Sequence, residues 1–138
     1  MNKVFLDTNI LLDYYLNRSG ADMAEEVFKK ANCGRITLYA STLTFANFAY
    51  VLKRMPTRKE VYSVLDEIEK LIYALPMNQK QLRASIIDAK CRDFEDMLQY
   101  QCALAGGCDV ILTNNKKDFV GFSQLPLCTA EEYIKTLA

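Results

Sequence analysis

Histidine is absent from all 138 residues. That absence removes hydrolysis through an imidazole base, and every cysteine–histidine nucleophile pair, from the chemistry open to the chain. Cysteine is present but unpatterned: Cys33, Cys91, Cys102, Cys108 and Cys128 make an odd number with no C-x-x-C spacing. Lacking histidine they complete no zinc site, and they read as reduced, mostly buried thiols. No apolar run approaches the roughly 20 residues of a membrane span, and the opening Met1-Asn2-Lys3-Val4-Phe5-Leu6-Asp7 meets charge too early for a secretory leader. The expectation is a cytoplasmic protein with no membrane segment. Neither sign of charge is in excess, since 17 basic residues balance 17 acidic ones. A net charge of zero argues against a protein that coats a polyanion by bulk electrostatics alone.

What is present fits one globular domain over residues 1–138, with 51% hydrophobic and 25% charged residues. A chain of this length buries roughly two-thirds of its unfolded surface. Apolar runs at about Lys3–Leu6, Thr37–Ala40, Val110–Thr113 and Pro126–Cys128 read as short strands. Between them lie helical patterns: one from Asn9 ending near Asn17 to Gly20, one over Ala21–Asn32, and one capped by Ser41 or Thr42 and halted by Pro56. Thr57-Arg58-Lys59-Glu60 is a capping-box sequence for a helix to about Tyr73, Asn78 caps a helix to about Lys90, and Asp93 caps one to Ala105 before Gly106-Gly107. Thr129-Ala130-Glu131-Glu132 is a second capping box, opening the terminal helix. Such alternation implies an α/β fold, a three-layer α/β/α sandwich around a short parallel sheet of Rossmann-like, doubly wound type.

Side chains from four segments then fall at one edge. Asp7 leaves the carboxyl end of the first strand, and Asn114-Asn115-Lys116-Lys117-Asp118 leaves that of Val110–Thr113. Helices in such units run antiparallel to strands, so Asn47, early in its helix, and Asp93 and Asp96, opening theirs, reach the same edge. Doubly wound folds bind ligands there. Converging carboxylates point to a hard divalent cation, and with no histidine any chemistry on phosphates falls to carboxylates and Mg²⁺ or Mn²⁺. Lys116 and Lys117 are the basic residues best placed to meet a phosphate, because they neighbour Asp118.

Three segments resemble a known family, the PIN domain. Phe5-Leu6-Asp7-Thr8-Asn9-Ile10-Leu11-Leu12-Asp13 is similar to its opening motif, Asp93-Phe94-Glu95-Asp96-Met97-Leu98 through Ala103 to its central acidic helix start, and Ile111-Leu112-Thr113-Asn114-Asn115-Lys116-Lys117-Asp118-Phe119 to its closing motif. The resemblance covers nearly the whole chain in the right order. It implies a Mg²⁺- or Mn²⁺-dependent ribonuclease in which Asp7, Asp96 and Asp118 hold the metal and are catalytic. Small single-domain members resemble the toxins of VapBC-type toxin–antitoxin pairs, which implies RNA as substrate and an antitoxin protein as partner; a homodimer is a separate expectation, since Tyr14, Tyr15, Phe45, Tyr50 and Tyr100 at helical spacing suit core packing or a dimer face. One position departs: the family usually has Glu where this chain has Asn47. An amide oxygen still accepts from a metal-bound water, but it brings no charge.

Ordinary structural roles stand beside each of these. Asp7 fits an N-cap, Asp118 a turn, and Asp93 with Asp96 the spacing of a capping box. Thr8, Thr113 and Asn115 are orienting candidates, although a strand-end threonine is often structural. Asp93 or Glu95 could stand in for the missing acid. Water activated at Asp7, Asp96 and Asp118 would attack a backbone phosphate in line, leaving 3′-hydroxyl and 5′-phosphate ends. The rival readings are a non-catalytic nucleic-acid-binding or partner-binding module, for which Asn47 is the main support, and a phosphatase for small phosphoesters.

Overall fold

The computed structural model describes residues 2–54, 60–88 and 93–137. Five strands, β1 (Lys3–Leu6), β2 (Thr37–Ser41), β3 (Ile72–Leu75), β4 (Val110–Leu112) and β5 (Leu127–Cys128), form one sheet of order β3-β2-β1-β4-β5. Every pairing is parallel. The chain therefore builds outward from β1 in one direction and then crosses to β4 on the other side. That reversal opens a crevice beyond the carboxyl ends of β1 and β4.

Strand periodicity sorts the core into two layers. Val4, Leu6, Leu38, Val110 and Leu112 face one side, where α1 (Thr8–Tyr15), α2 (Ala21–Asn32), α3 (Thr42–Lys53), α4 (Val61–Leu71) and α7 (Ala130–Thr136) supply Ile10, Leu11, Val27, Phe48, Ile68 and Tyr133. Phe5 and Ile111 face the other, against Met97, Tyr100 and Ala103 of α6 (Phe94–Ala105) and against Phe119. The remaining helix, α5 (Gln79–Ile87), packs on α6. Strands covered on both faces carry unbroken apolar runs, as β1 and β4 do.

Local signals in the chain set most boundaries. The Ser41 hydroxyl accepts from the Thr44 amide at 3.1 Å to cap α3, and Asp93 caps α6 through the Asp96 amide at 3.0 Å. Capping boxes open α5 at Asn78 with Gln81 and α7 at Thr129 with Glu132. The first helix begins at Thr8 rather than Asn9, because Asp7 takes the Thr8 amide. A larger correction concerns residues 72–75. The helix expected to run to about Tyr73 stops at Leu71, and Ile72–Leu75 pairs with β2 as a strand. The apolar run Leu71-Ile72-Tyr73-Ala74-Leu75 continues the helical stripe without glycine or proline, so nothing local marks the change. Expectations at Pro56, Thr57, Lys90 and Cys91 fall outside the described residues; the described part of α4 is capped by the Glu60 carboxylate.

Cys33, Cys102, Cys108 and Cys128 are free thiols. Among the described residues no helix is long and apolar enough to cross a membrane. Phe48, on the inner face of α3, is fully buried, with Tyr15 edge-on at 5.3 Å between centroids. Phe48→Ala is expected to lower unfolding stability by about 3–5 kcal/mol, read as a shifted denaturant midpoint with an unchanged slope.

Candidate active site

The pairing of β1 with β4 determines where the first carboxylate lies. Leu6 is in register with Leu112, and the Asp7 amide continues the ladder by donating to the Leu112 carbonyl at 3.0 Å. Asp7 and Thr113 thus leave adjacent strands side by side. The Thr113 hydroxyl donates to Asp7 Oδ2 at 2.8 Å, while Oδ1 accepts from the Thr8 amide at 2.8 Å. Thr113 is itself held by the Asn115 amide, which donates to its Oγ1 at 3.0 Å. Capping and convergence are therefore compatible at Asp7, since the two oxygens serve different neighbours.

Asp118 ends a short 3₁₀ turn, Lys116–Asp118, and is pinned by the next residue, Phe119, which is fully buried in the second core layer. Asp96 sits in the first turn of α6, behind Asp93 at the cap. Asp93, Asp96, Lys117 and Asp118 line a cleft of about 560 Å³ floored by Val120, Gly121 and Phe122. Asp7 is half-buried at the strand end, outside that lining but within its field.

Electrostatics tie the acids together. Burial pushes Asp7 above the usual carboxylate range; the hydrogen bonds from Thr113 and Thr8 oppose this, and the charge of Asp118 adds to it. Asp96 is pushed up to about 7, first by burial and then by the charges of Asp93, Asp7, Asp118 and Glu95. Among the described residues no lysine or arginine pairs with Asp7, Asp96 or Asp118. A pocket rich in hard carboxylate oxygens suits a hard cation. The carboxylates do not close into a cage, for no three acidic or cysteine side chains among the described residues stand at metal-holding spacing. Mutual repulsion disfavours closer approach while the negative charge is uncompensated.

The other expected residues divide. Lys116 Nζ donates to both oxygens of Glu132 at 2.8 Å, and Lys117 is the lysine that lines the cleft. The Thr8 hydroxyl donates to Thr44 Oγ1 at 3.1 Å, while its amide serves Asp7. Asn47 donates through Nδ2 to Glu95 Oε1 at 2.8 Å, across α3 and α6.

Two supporting residues had not been singled out. Gln99, fully buried on α6, accepts from the Ser41 hydroxyl at 2.7 Å and donates to Thr44 Oγ1 at 3.0 Å, which locks α6 to the β2–α3 turn. Asp13, buried on α1, accepts from Asn114 Nδ2 at 2.6 Å and ties down the loop after β4. Gly20 lies so close that an added Cβ would meet the Asp13 carboxylate. The signal for both was a polar side chain inside an apolar helix face, where burial demands a partner.

The fold and this edge define a three-layer α/β protein with an acidic crevice at a topological switch point. The PIN domain family model matches residues 3–117, and the chain belongs to the PIN domain family. Ribonuclease VapC1 of Aquifex aeolicus (strain VF5) is 25% identical over 136 residues, covering 95% of this chain and 92% of that protein. Among solved structures, VapBC2 from Rickettsia felis bound to a DNA fragment from their promoter matches with a TM-score of 0.70 at 20% identity, over 91% of this chain and 97% of the other. Mycobacterium tuberculosis VapC20, a Sarcin-Ricin loop cleaving toxin, matches at 0.66 and 10% identity, over 89% and 98%. At those identities the structures speak to the fold.

The raised carboxylates have a consequence for stability. A carboxyl whose pKa is higher folded than unfolded binds more protons in the native state between the two values, so its contribution declines as pH rises through that window. For Asp96 the window runs from 3.8 to about 7. In chelator, Asp96→Asn is expected to melt above the parent at pH 8, with the gap closing toward pH 4. Equal melting temperatures at pH 8 would contradict the repulsion described.

Proposed function

We propose that the chain is a divalent-metal-dependent endoribonuclease, the toxin of a type II toxin–antitoxin pair, with Asp7, Asp96 and Asp118 as its metal-holding and catalytic acids. The observation that carries this reading is the grouping of three carboxylates, without a pairing lysine or arginine among the described residues, around the crevice of a PIN fold. The ribonuclease name of the Aquifex relative and the VapBC complexes among the structural neighbours support RNA as substrate and an antitoxin as partner.

Mg²⁺ or Mn²⁺ bound by these acids would neutralise phosphate charge and activate water for in-line attack, leaving 3′-hydroxyl and 5′-phosphate ends. The protein's own part is positioning. Thr113 and the Thr8 amide fix the rotamer of Asp7, so its carboxylate is oriented before a ligand arrives. The N-terminus of α6 offsets part of the cost of holding Asp93 and Asp96 ionised. Lys117 at the cleft is placed to draw in a backbone phosphate.

Saturating Mn²⁺ is expected to raise the melting temperature, by about 2.7 kcal/mol of stability at a hundredfold excess over Kd, and Asp7→Asn to remove both that rise and RNA cleavage. Cleavage products should carry 5′-phosphates, growth should arrest on expression, and coexpression of an antitoxin encoded immediately beside this gene should relieve the arrest. RNA bound but left intact, with no Mn²⁺ response, would mark a binding module instead. Turnover of small phosphoesters without RNA cleavage would mark a phosphatase.

A further inference from the structure

The cleft has an apolar wall that the acids do not explain. Beside Asp93, Asp96, Asp118 and Lys117 it is lined by Val120, Gly121 and Phe122, which carry no charge and no hydrogen-bonding side chain. At about 560 Å³ the space exceeds the needs of a metal ion, since a cation with six waters takes on the order of 200 Å³ at roughly 30 Å³ for each water.

The wall is fixed in place. The Val120 amide donates to the Lys116 carbonyl at 3.0 Å, and the amides of Phe122 and Ser123 donate to the Phe119 carbonyl at 3.1 and 2.8 Å. Phe122 meets Tyr100 edge-on, with centroids 5.2 Å apart, and Phe119 at 5.9 Å. Two of its residues have no purpose inside the fold. Val120 is 69% exposed, so the core makes little use of its methyl groups. Gly121 lies outside the left-handed region, and a Cβ there would meet no atom within 4 Å, so neither backbone nor packing calls for glycine. Glycine instead leaves bare backbone that a flat group can approach closely.

We propose that Val120, Gly121 and Phe122 form a nucleobase subsite, on which one base beside the cleaved phosphate of an RNA strand lies while that phosphate meets the acids and Lys117. The proposal rests on the nuclease reading above and deepens it by naming the part of the substrate that this wall takes. Phosphate and ribose are polar, and the face of a base is the part of the strand that suits an apolar surface. Lys117, in the same lining, supplies positive charge for the phosphate, so both halves of a nucleotide find a complement in one cleft. Every base has such a face, and the subsite therefore calls for a base without selecting one of the four. The wall orients the strand and takes no part in bond breaking.

The test uses the full chain with Mn²⁺ and a synthetic single-stranded RNA whose cleaved phosphate has been mapped, together with copies made abasic at each nucleotide in turn. Removing one of the two bases that flank the cleaved phosphate is expected to raise KM about tenfold in the parent with kcat little changed, and abasic nucleotides farther away are expected to have no such effect. Gly121→Leu, which fills the open space, should raise KM for intact RNA and bring the preference for intact over abasic strand to about unity. Val120→Ser, which removes the exposed methyl groups, should lower the same preference. Metal-free melting of both variants should match the parent, because position 121 is open and position 120 exposed. A parent indifferent to base removal at every position, or a preference that both variants keep, with cleavage still lost in Asp7→Asn, would overturn this proposal and leave the nuclease reading standing. A parent that cleaves no RNA would overturn both.

Discussion

Negative charge held partly out of water at the carboxyl edge of a parallel sheet is the constraint on which the rest of this structure depends. Asp7 and Asp96 are raised above the ordinary carboxylate range by burial, and each feels the other acids around the crevice. A fold does not keep such a grouping without cost, since each ionised carboxylate destabilises its neighbours. The cost is confined by geometry. The β1–β4 pairing, the α6 cap and the buried anchor at Phe119 position the acids from three separate elements, so the strain of repulsion is spread over the sheet edge.

Beneath the acids lies a neutral polar layer. Thr8, Ser41, Thr44 and Gln99 bond to one another between α1, the end of β2, the start of α3 and α6. No buried side-chain polar atom among the described residues is left without a partner. A satisfied network of this kind is stiff and specific. It ties α6, which carries Asp96, to the end of β2 and the start of α3. Asp13 with Asn114 does the same for the loop that carries Asp118, tying it to α1.

How much of this was legible in the sequence depends on how local each signal is. Asp93 as the cap of α6, the boxes at Asn78 and Thr129, and the apolar runs of β1 and β4 each write their structure within a few residues, and they were readable. The strand at Ile72–Leu75 was not, because its apolar residues extend the stripe of α4 and only pairing with β2 makes them a strand. The separate fates of Lys116 and Lys117 were equally hidden, since Glu132, sixteen positions downstream of Lys116, decides them. Asn47 could be seen as a departure from pattern. Its bond to Glu95 spans 48 positions, and only the packing of α3 on the rest of the fold discloses it.

The central claim is that acids distant in sequence are gathered to hold one hard cation. Diffraction from crystals soaked in Mn²⁺, collected at a wavelength where manganese scatters anomalously, addresses it most directly. The account predicts an anomalous peak in the crevice with carboxylate oxygens of Asp7, Asp96 and Asp118 at bonding distance. A soaked crystal with no peak there, or with manganese only at surface carboxylates elsewhere, would contradict it.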